Sequence, residues 1–204
     1  MNILRIDSSI LGEHSASRRL TAAVVKRLLE GNPDAFVTSR DLARNNVPQF
    51  SGALADIASV PVEQRSSELQ RDAMELLAVL EEVLVADAIV IGAPMYNFGI
   101  PSQLKSWLDA LAVPGKTFQY DAAGFKGLLG AKRVVIASAR GGFYGADTPM
   151  AAFDHQETYL RSFFGFLGVT RMEVVRAEGL KVSAEMMDLG MAAGLRQAAE
   201  LQVA

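Results

Sequence analysis

The sequence predicts an α/β protein, a three-layer sandwich in which a five-stranded parallel sheet of order 2-1-3-4-5 lies between helices. Three observations carry this. Strand-type and helix-type segments alternate five times, with no internal repeat or low-complexity linker between them. Two of the segments, residues 88–93 and 133–138, are almost continuously apolar, as strands covered on both faces are. The chain has 204 residues, 50% of them hydrophobic, enough for one core, so residues 1–204 are read as a single domain. Alternation of this kind implies parallel strands joined by right-handed crossovers.

Residues 2–7 are a short β-prone run. After a Ser/Gly loop, residues 18–29 read as a helix with Leu20, Val24, Val25, Leu28 and Leu29 on one face. Residues 35–42 form a polar strand that suits a sheet edge. Residues 45–62 carry Pro48 and Pro61 without a period and read as an irregular excursion with a short helix. In residues 68–84, Leu69, Ala73, Leu76, Leu77, Leu80 and Leu84 recur at helical spacing, and Glu81-Glu82 reads as a solvated face. The strand at 88–93 runs into a proline-bounded loop, 94–101, and then a helix, 102–111. There Leu104, Trp107, Leu108 and Leu111 make an apolar stripe for core or subunit contact. Residues 115–131 are rich in glycine and aromatics without a period. A strand at 133–138, a loop at 139–149, a helix at 151–167, a strand at 170–177 and a helix at 183–203 complete the chain. Met186, Met187 and Met191 are expected to fill gaps on the last helix.

Composition excludes several function classes. Without cysteine there is no disulfide framework, Fe–S cluster or thiolate nucleophile, and two histidines do not make a zinc site, so no metal is expected. Twenty basic against 23 acidic residues, a net charge of −3, argue against a nucleic-acid partner. No apolar run approaches the roughly 20 residues that cross a bilayer, and no signal peptide is seen, so a soluble, cytoplasmic protein is expected.

In a sheet of this order, ligands bind beyond the carboxyl ends of the strands, at the switch point between the first and third. The loops after Asp7, Ala93 and Ser138 are therefore the place to look. The first, residues 8–17, has four serines leading into a helix, where free backbone N–H groups and the helix dipole favour a phosphate. The plain alternative is that Ser15 or Ser17 only caps the helix. The second, Pro94-Met95-Tyr96-Asn97-Phe98-Gly99-Ile100-Pro101, offers a stiffened apolar surface with Asn97 as a polar handle, suited to a flat heteroaromatic ring. The third, Ser138-Ala139-Arg140-Gly141-Gly142, offers successive N–H groups as an anion nest, with Arg140 as a source of positive charge or an ordinary ion-pair arginine. A double glycine can equally mark a simple turn. Together the three describe a mononucleotide with a flat ring, FMN foremost. No G-x-G-x-x-G follows the first strand, and Gly115-Lys116-Thr117 lacks the rest of a P-loop.

These stretches, with Leu104-Lys105, Asp109, Gly115-Lys116-Thr117-Phe118, Gly127-Leu128-Leu129 and Asp154-His155-Gln156, resemble the FMN-dependent NADH-azoreductases, also called NADH:quinone oxidoreductases. The resemblance covers nearly the whole chain. It implies a flavodoxin-like homodimer with one FMN per subunit at the interface. It carries over Ser9, Ser15, Ala16 and Ser17 as phosphate and ribityl contacts. It sets Met95, Tyr96, Asn97 and Phe98 along the flavin and Gly141 and Gly142 at its pyrimidine end; Pro94, Ser138 and Arg140 are counted among the cofactor-binding candidates with them. Tyr120, expected from the partner subunit, Phe163 and His155 are implied to shape the substrate pocket. The family places Ser directly before Arg-Gly-Gly; here Ala139 stands there, leaving Ser138 as the available hydroxyl.

The implied chemistry is a ping-pong transfer: NADH reduces the flavin, leaves, and a quinone or an azo compound takes its place in the same slot. An azo bond needs two such cycles for cleavage to aromatic amines. The flavin supplies the reactivity; Asn97 supports it and no residue is required as a general acid. The competing reading, a flavodoxin-type electron carrier serving a protein partner, fits less well, because such carriers are more acidic and lack this aromatic loop.

Overall fold

A computed structural model describes residues 1–122 and 124–203, and at residue 58 only the backbone. Its main sheet holds five parallel strands: β1 (Asn2–Asp7), β2 (Phe36–Asp41), β3 (Ala88–Pro94), β6 (Arg133–Ala139) and β7 (Arg171–Ala177). Between β3 and β6 in the chain, β4 (Phe118–Asp121) and β5 (Gly124–Gly127) form a separate antiparallel hairpin. The sheet order is β2-β1-β3-β6-β7. The five parallel strands are those expected, but the numbering 2-1-3-4-5 is corrected by the hairpin, which occupies residues read as having no element. Its aromatic positions cluster rather than alternate strictly in and out, Phe118 and Phe125 packing on Phe166 and Tyr120 on Phe118 and Phe125, so no strand period shows.

The helices are α1 (Ala16–Gly31), α2 (Gly52–Ala55), α3 (Ser67–Val85), α4 (Ser102–Asp109), α5 (Glu157–Phe166) and α6 (Ala184–Glu200). β3 and β6 are buried at every position, and their alternate residues feed two cores. On one face Ile89, Ile91, Val134 and Ile136 meet Val79 and Val83 of α3, Leu104, Trp107 and Leu108 of α4, and Leu160 and Phe164 of α5. On the other, Val90, Val135 and Ala137 meet Leu20, Val24 and Leu28 of α1 and Met191 and Ala198 of α6. Two helix layers around one sheet follow directly.

Three sequence expectations need correction. The α3 stripe holds in part: Leu80 is buried and Leu76 and Leu84 pack on the core, but Val79 and Val83 are buried as well and Leu77 is 61% exposed. Glu82 is not a free solvated group, since its carboxylate takes two hydrogen bonds of 2.8 Å from Arg40. The single helix expected over 151–167 is broken into a 3-10 turn, Ala151–Phe153, and α5. The Asp154 carboxylate causes the break by accepting from the N–H groups of Gln156 at 3.1 Å and Glu157 at 3.0 Å, which starts a new helix there.

Candidate active site

The carboxyl ends of β1, β3 and β6 border a cleft of about 290 Å³. Its wall holds Ser9, Ser15, Ala16 and Ser17 from the first loop, Pro94, Met95 and Tyr96 from the second, and Ala139, Arg140 and Gly141 from the third. The switch-point geometry therefore joins the three loops selected from sequence.

The first loop is built for an anion. Ser15 is the N-cap of α1: its Oγ accepts from Arg18 N–H at 3.2 Å, so the plain capping role is real for this serine. Its Oγ also lies 3.1 Å from the Ser17 Oγ. The N–H groups of Ala16 and Ser17 have no partner among the described residues and stand at the positive end of the helix dipole. Ser9 Oγ lies 3.3 Å from the Tyr96 hydroxyl, which also accepts from Ile10 N–H at 3.2 Å, tying the first loop to the second. Below the loop, buried Asp7 accepts from Thr21 Oγ1 at 2.8 Å and pairs with Arg5 at 2.8 Å. Burial pushes its carboxyl above the ordinary range, outweighing Thr21 and the arginines. Arg18 holds the Ser9 carbonyl at 3.0 Å and Asp41 at 2.7 Å.

The second loop is strained where it is most polar. Asn97 has φ 48° and Phe98 φ 71°, both in the left-handed region. Tyr96 and Gly99 close the turn with reciprocal hydrogen bonds, Tyr96 N–H to Gly99 O at 3.0 Å and Gly99 N–H to Tyr96 O at 3.1 Å. Two consecutive positive φ values make the tight hairpin turn that Asn tolerates at its first central position and that glycine, not phenylalanine, normally occupies at its second. Holding Phe98 there costs of order 1–3 kcal/mol, a cost such turns carry mainly at functional sites. The Phe98 ring is fastened by Phe153 at 5.2 Å and Tyr144 at 6.3 Å, centroid to centroid, and its carbonyl accepts from His155 N–H at 3.1 Å.

The third loop pairs with residues 179–181: Gly179 N–H donates to Gly142 O at 3.0 Å, Leu180 N–H to Arg140 O at 3.2 Å and Lys181 N–H to Gly141 O at 2.9 Å. The N–H groups of Gly141 and Gly142 have no partner among the described residues. Arg140 does not supply charge to the cleft. Its side chain is 0% exposed and paired with Asp154 at 2.8 Å, Glu157 at 2.6 Å and Glu178 at 3.3 Å, so only its backbone is available there. Ser138 does not replace the missing hydroxyl at 139 either. Adjacent strand residues face opposite sides of the sheet, and the Ser138 Oγ is buried against Gln156 Oε1 at 3.1 Å and Arg140 Nε at 3.1 Å. Gln156 in turn donates to the Ala93 carbonyl at 2.6 Å, linking this buried network to β3.

Asn97, Phe98 and Gly142 are chain neighbours of wall residues without being part of the wall. Tyr120, Phe163 and His155 are not brought to the cleft within one chain. Tyr120 is exposed on β4, Phe163 packs on Tyr159 and Phe164, and His155 touches the second loop only through the Phe98 carbonyl. Sequence reasoning missed His14, Arg19 and Lys181, whose side chains have no ion pair among the described residues. Arg19 and Lys181 make the cleft cationic, since no carboxylate lines it. A larger cavity, about 860 Å³, lies beside β2. Among its charged residues Arg40 pairs with Glu75 and Glu82, Arg71 with Asp72, and Asp41 with Arg18. Among the described residues no cluster of His, Cys, Asp or Glu could hold a metal.

A profile of the family described as flavodoxin-like fold matches residues 1–201. An FMN-dependent NADH:quinone oxidoreductase from Sinorhizobium medicae (strain WSM419) is 52% identical over 200 residues, which are 98% of this chain and 96% of that protein. Among solved structures, that of azoreductase AzrA matches with a TM-score of 0.87 at 29% identity, covering 98% of each chain. An FMN-dependent NADH-azoreductase from Bacillus anthracis str. Ames Ancestor, solved in complex with FMN, matches with a TM-score of 0.82 at 25% identity, over 97% of this chain and 98% of that one. The match to the profile and the near-full-length identity together mean that this chain belongs to the flavodoxin-like-fold family that includes the FMN-dependent NADH:quinone oxidoreductases.

Proposed function

We propose that this protein is an FMN-dependent oxidoreductase that takes electrons from NADH and delivers them to quinones and, with cleavage to aromatic amines, to azo compounds. The carrying observation is the cleft itself: unpaired amides and serine hydroxyls at one end, a strained aromatic loop along it, and unpaired glycine amides at the other. These donors fit FMN. The Ala16 and Ser17 amides and the Ser9, Ser15 and Ser17 hydroxyls suit its phosphate and ribityl chain, and the Arg19 cation favours its charge. Pro94, Met95 and Tyr96 on the cleft wall suit one side of its ring, with Phe98 holding their turn in place. When bound, FMN accepts a hydride from NADH and passes an electron pair to the acceptor.

The residues do the rest. The Gly141 and Gly142 amides donate toward the end of the ring that becomes electron-rich on reduction, as oxyanion-hole donors do. The Asn97 side chain has no hydrogen-bond partner among the described residues and is free to donate to the ring edge. Residues 94–99 keep one flat slot, used by donor and acceptor in turn, which gives ping-pong kinetics. Tyr120, Phe163 and His155 complete the acceptor pocket in a homodimer. Supporting the dimer is an apolar groove of about 340 Å³ lined by Phe50, Leu54, Ile57, Leu76, Leu77 and Val113. Neither nucleic acid nor membrane enters this reading, and a reaction fed by NADH is assigned in it to the cytoplasm. No helix among the described residues is long and apolar enough to cross a membrane.

The test is a titration of the purified chain with FMN, followed by steady-state rates with NADH and a panel of benzoquinones and azo dyes. Parallel double-reciprocal lines support the proposal. Failure of NADH alone to bleach the bound flavin favours the electron carrier instead.

A further inference from the structure

The residue that sequence selects as the cation of the third loop cannot act as one. Arg140 is wholly buried, and its guanidinium faces Asp154, Glu157 and Glu178. Its charge is neutralised inside the protein, leaving the adjoining end of the cleft without the positive group that the motif suggests. Of the two cations on the wall without an ion-pair partner among the described residues, Arg19 belongs to α1, at the serine end. Lys181 belongs to the other end. Its N–H donates to Gly141 O at 2.9 Å, and its Cβ and Cγ stand so close that a methyl group on Gly141 would meet them at 3.3 and 3.2 Å. The stem is thus fixed against the glycine pair while the ammonium has no acidic partner among the described residues.

From this we infer that Lys181 is the charge that favours the electron-rich form of the bound flavin, a role resting on the FMN reading above. A hydride from NADH brings two electrons and one proton, so the ring gains one net negative charge, and NAD⁺ leaves with the balance. Lys181 is exposed at the cleft wall, and its ammonium, with no carboxylate lining the cleft to compensate it, attracts that added charge. The unpaired Gly141 and Gly142 amides contribute dipoles; Lys181 contributes the full charge. Three backbone hydrogen bonds between the third loop and residues 179–181 hold the Lys181 stem beside Gly141.

The experiment measures the two-electron midpoint potential of FMN-loaded protein against a reference dye, and the Kd for FMN by fluorescence quenching. The wild type is compared with Lys181→Met, Lys181→Gln and Lys181→Arg. Removing the charge is expected to disfavour reduction about tenfold, a shift of about −30 mV for a two-electron couple. The Kd for oxidised FMN is expected to change much less, and Lys181→Arg to keep the wild-type potential. An unmoved potential in both Lys181→Met and Lys181→Gln overturns the inference. So does an equal shift in Lys181→Arg, which would make the effect steric, or a change confined to the KM of anionic acceptors. A wild-type chain that takes up no FMN overturns the functional reading as well, so the two failures are distinguishable.

Discussion

Asn97 and Phe98 show how a site can be read from single residues and where that reading stops. Their side chains mark the loop as unusual for a surface connection, but the positive φ values belong to the folded turn. The backbone also changes the choice of variant. Alanine at 97 would remove the amide and add roughly 1 kcal/mol of left-handed strain, whereas Asn97→Gly removes the amide alone. Asn97→Gly is expected to slow flavin reduction by NADH in single turnover while FMN stays bound. Asn97→Ala is expected to show the same kinetic defect with a melting temperature lower by about 2–4 °C. The serines separate in a similar way. Ser15→Ala is expected to cost about 1 kcal/mol of stability through the lost cap and also to weaken FMN binding. Ser17→Ala, which leaves the cap itself intact and removes only the hydroxyl contact to Ser15, is expected to weaken binding with a smaller loss of melting temperature than Ser15→Ala. Calorimetry and FMN titration on the pair distinguish capping from ligand binding.

At the scale of elements, strands buried on both faces are the most legible because their composition alone marks them. β3 and β6 lie within a residue of their expected ends. The β4–β5 hairpin was illegible, since its order comes from aromatic stacking onto α5 and from one close backbone approach. A Cβ on Gly127 would sit 2.2 Å from Gly168 N and Leu167 C. Gly127→Ala should therefore lift the hairpin from α5 at a cost of about 1–3 kcal/mol, and limited proteolysis within residues 118–127 should become faster. The exposed half of α3 carries the other element-scale expectation. Leu77→Glu places a charge in the apolar groove at little cost to the isolated fold and should convert the proposed dimer to monomer, as light scattering on the eluting peak would show.

At the scale of the whole molecule, the Arg140 network joins β3, β6, α5 and β7 behind the cleft, and Glu157 is its hub. Burial alone would push the Glu157 carboxyl up, but hydrogen bonding to Arg176 and the charges of Arg140 and Arg176 hold it below the ordinary value. A carboxyl depressed in the folded state contributes stability that is present above its unfolded pKa of about 4.5 and is lost as pH falls through the lower folded value. Glu157→Gln is expected to cost roughly 3–5 kcal/mol at neutral pH by leaving both arginines short of a partner. Its stability should also fall less steeply below pH 4.5, which urea unfolding across pH 3–7 would measure. Wild-type behaviour in that acid range would show that the network does not couple to folding.

Alternation of apolar strands with amphipathic helices was sufficient to specify a doubly covered parallel sheet, because burial on both faces leaves a compositional mark that no single contact can erase. The same topology picked out three loops at its switch point, and they do border one cleft. Which side chains face that cleft was decided only by packing. Strand alternation turned Ser138 away, three carboxylates drew Arg140 inward, and a backbone ladder brought Lys181 beside Gly141 from some 40 residues downstream. Such partners are remote in the chain, and charge in a folded protein belongs to whichever neighbour can compensate it, so residue type alone did not announce them.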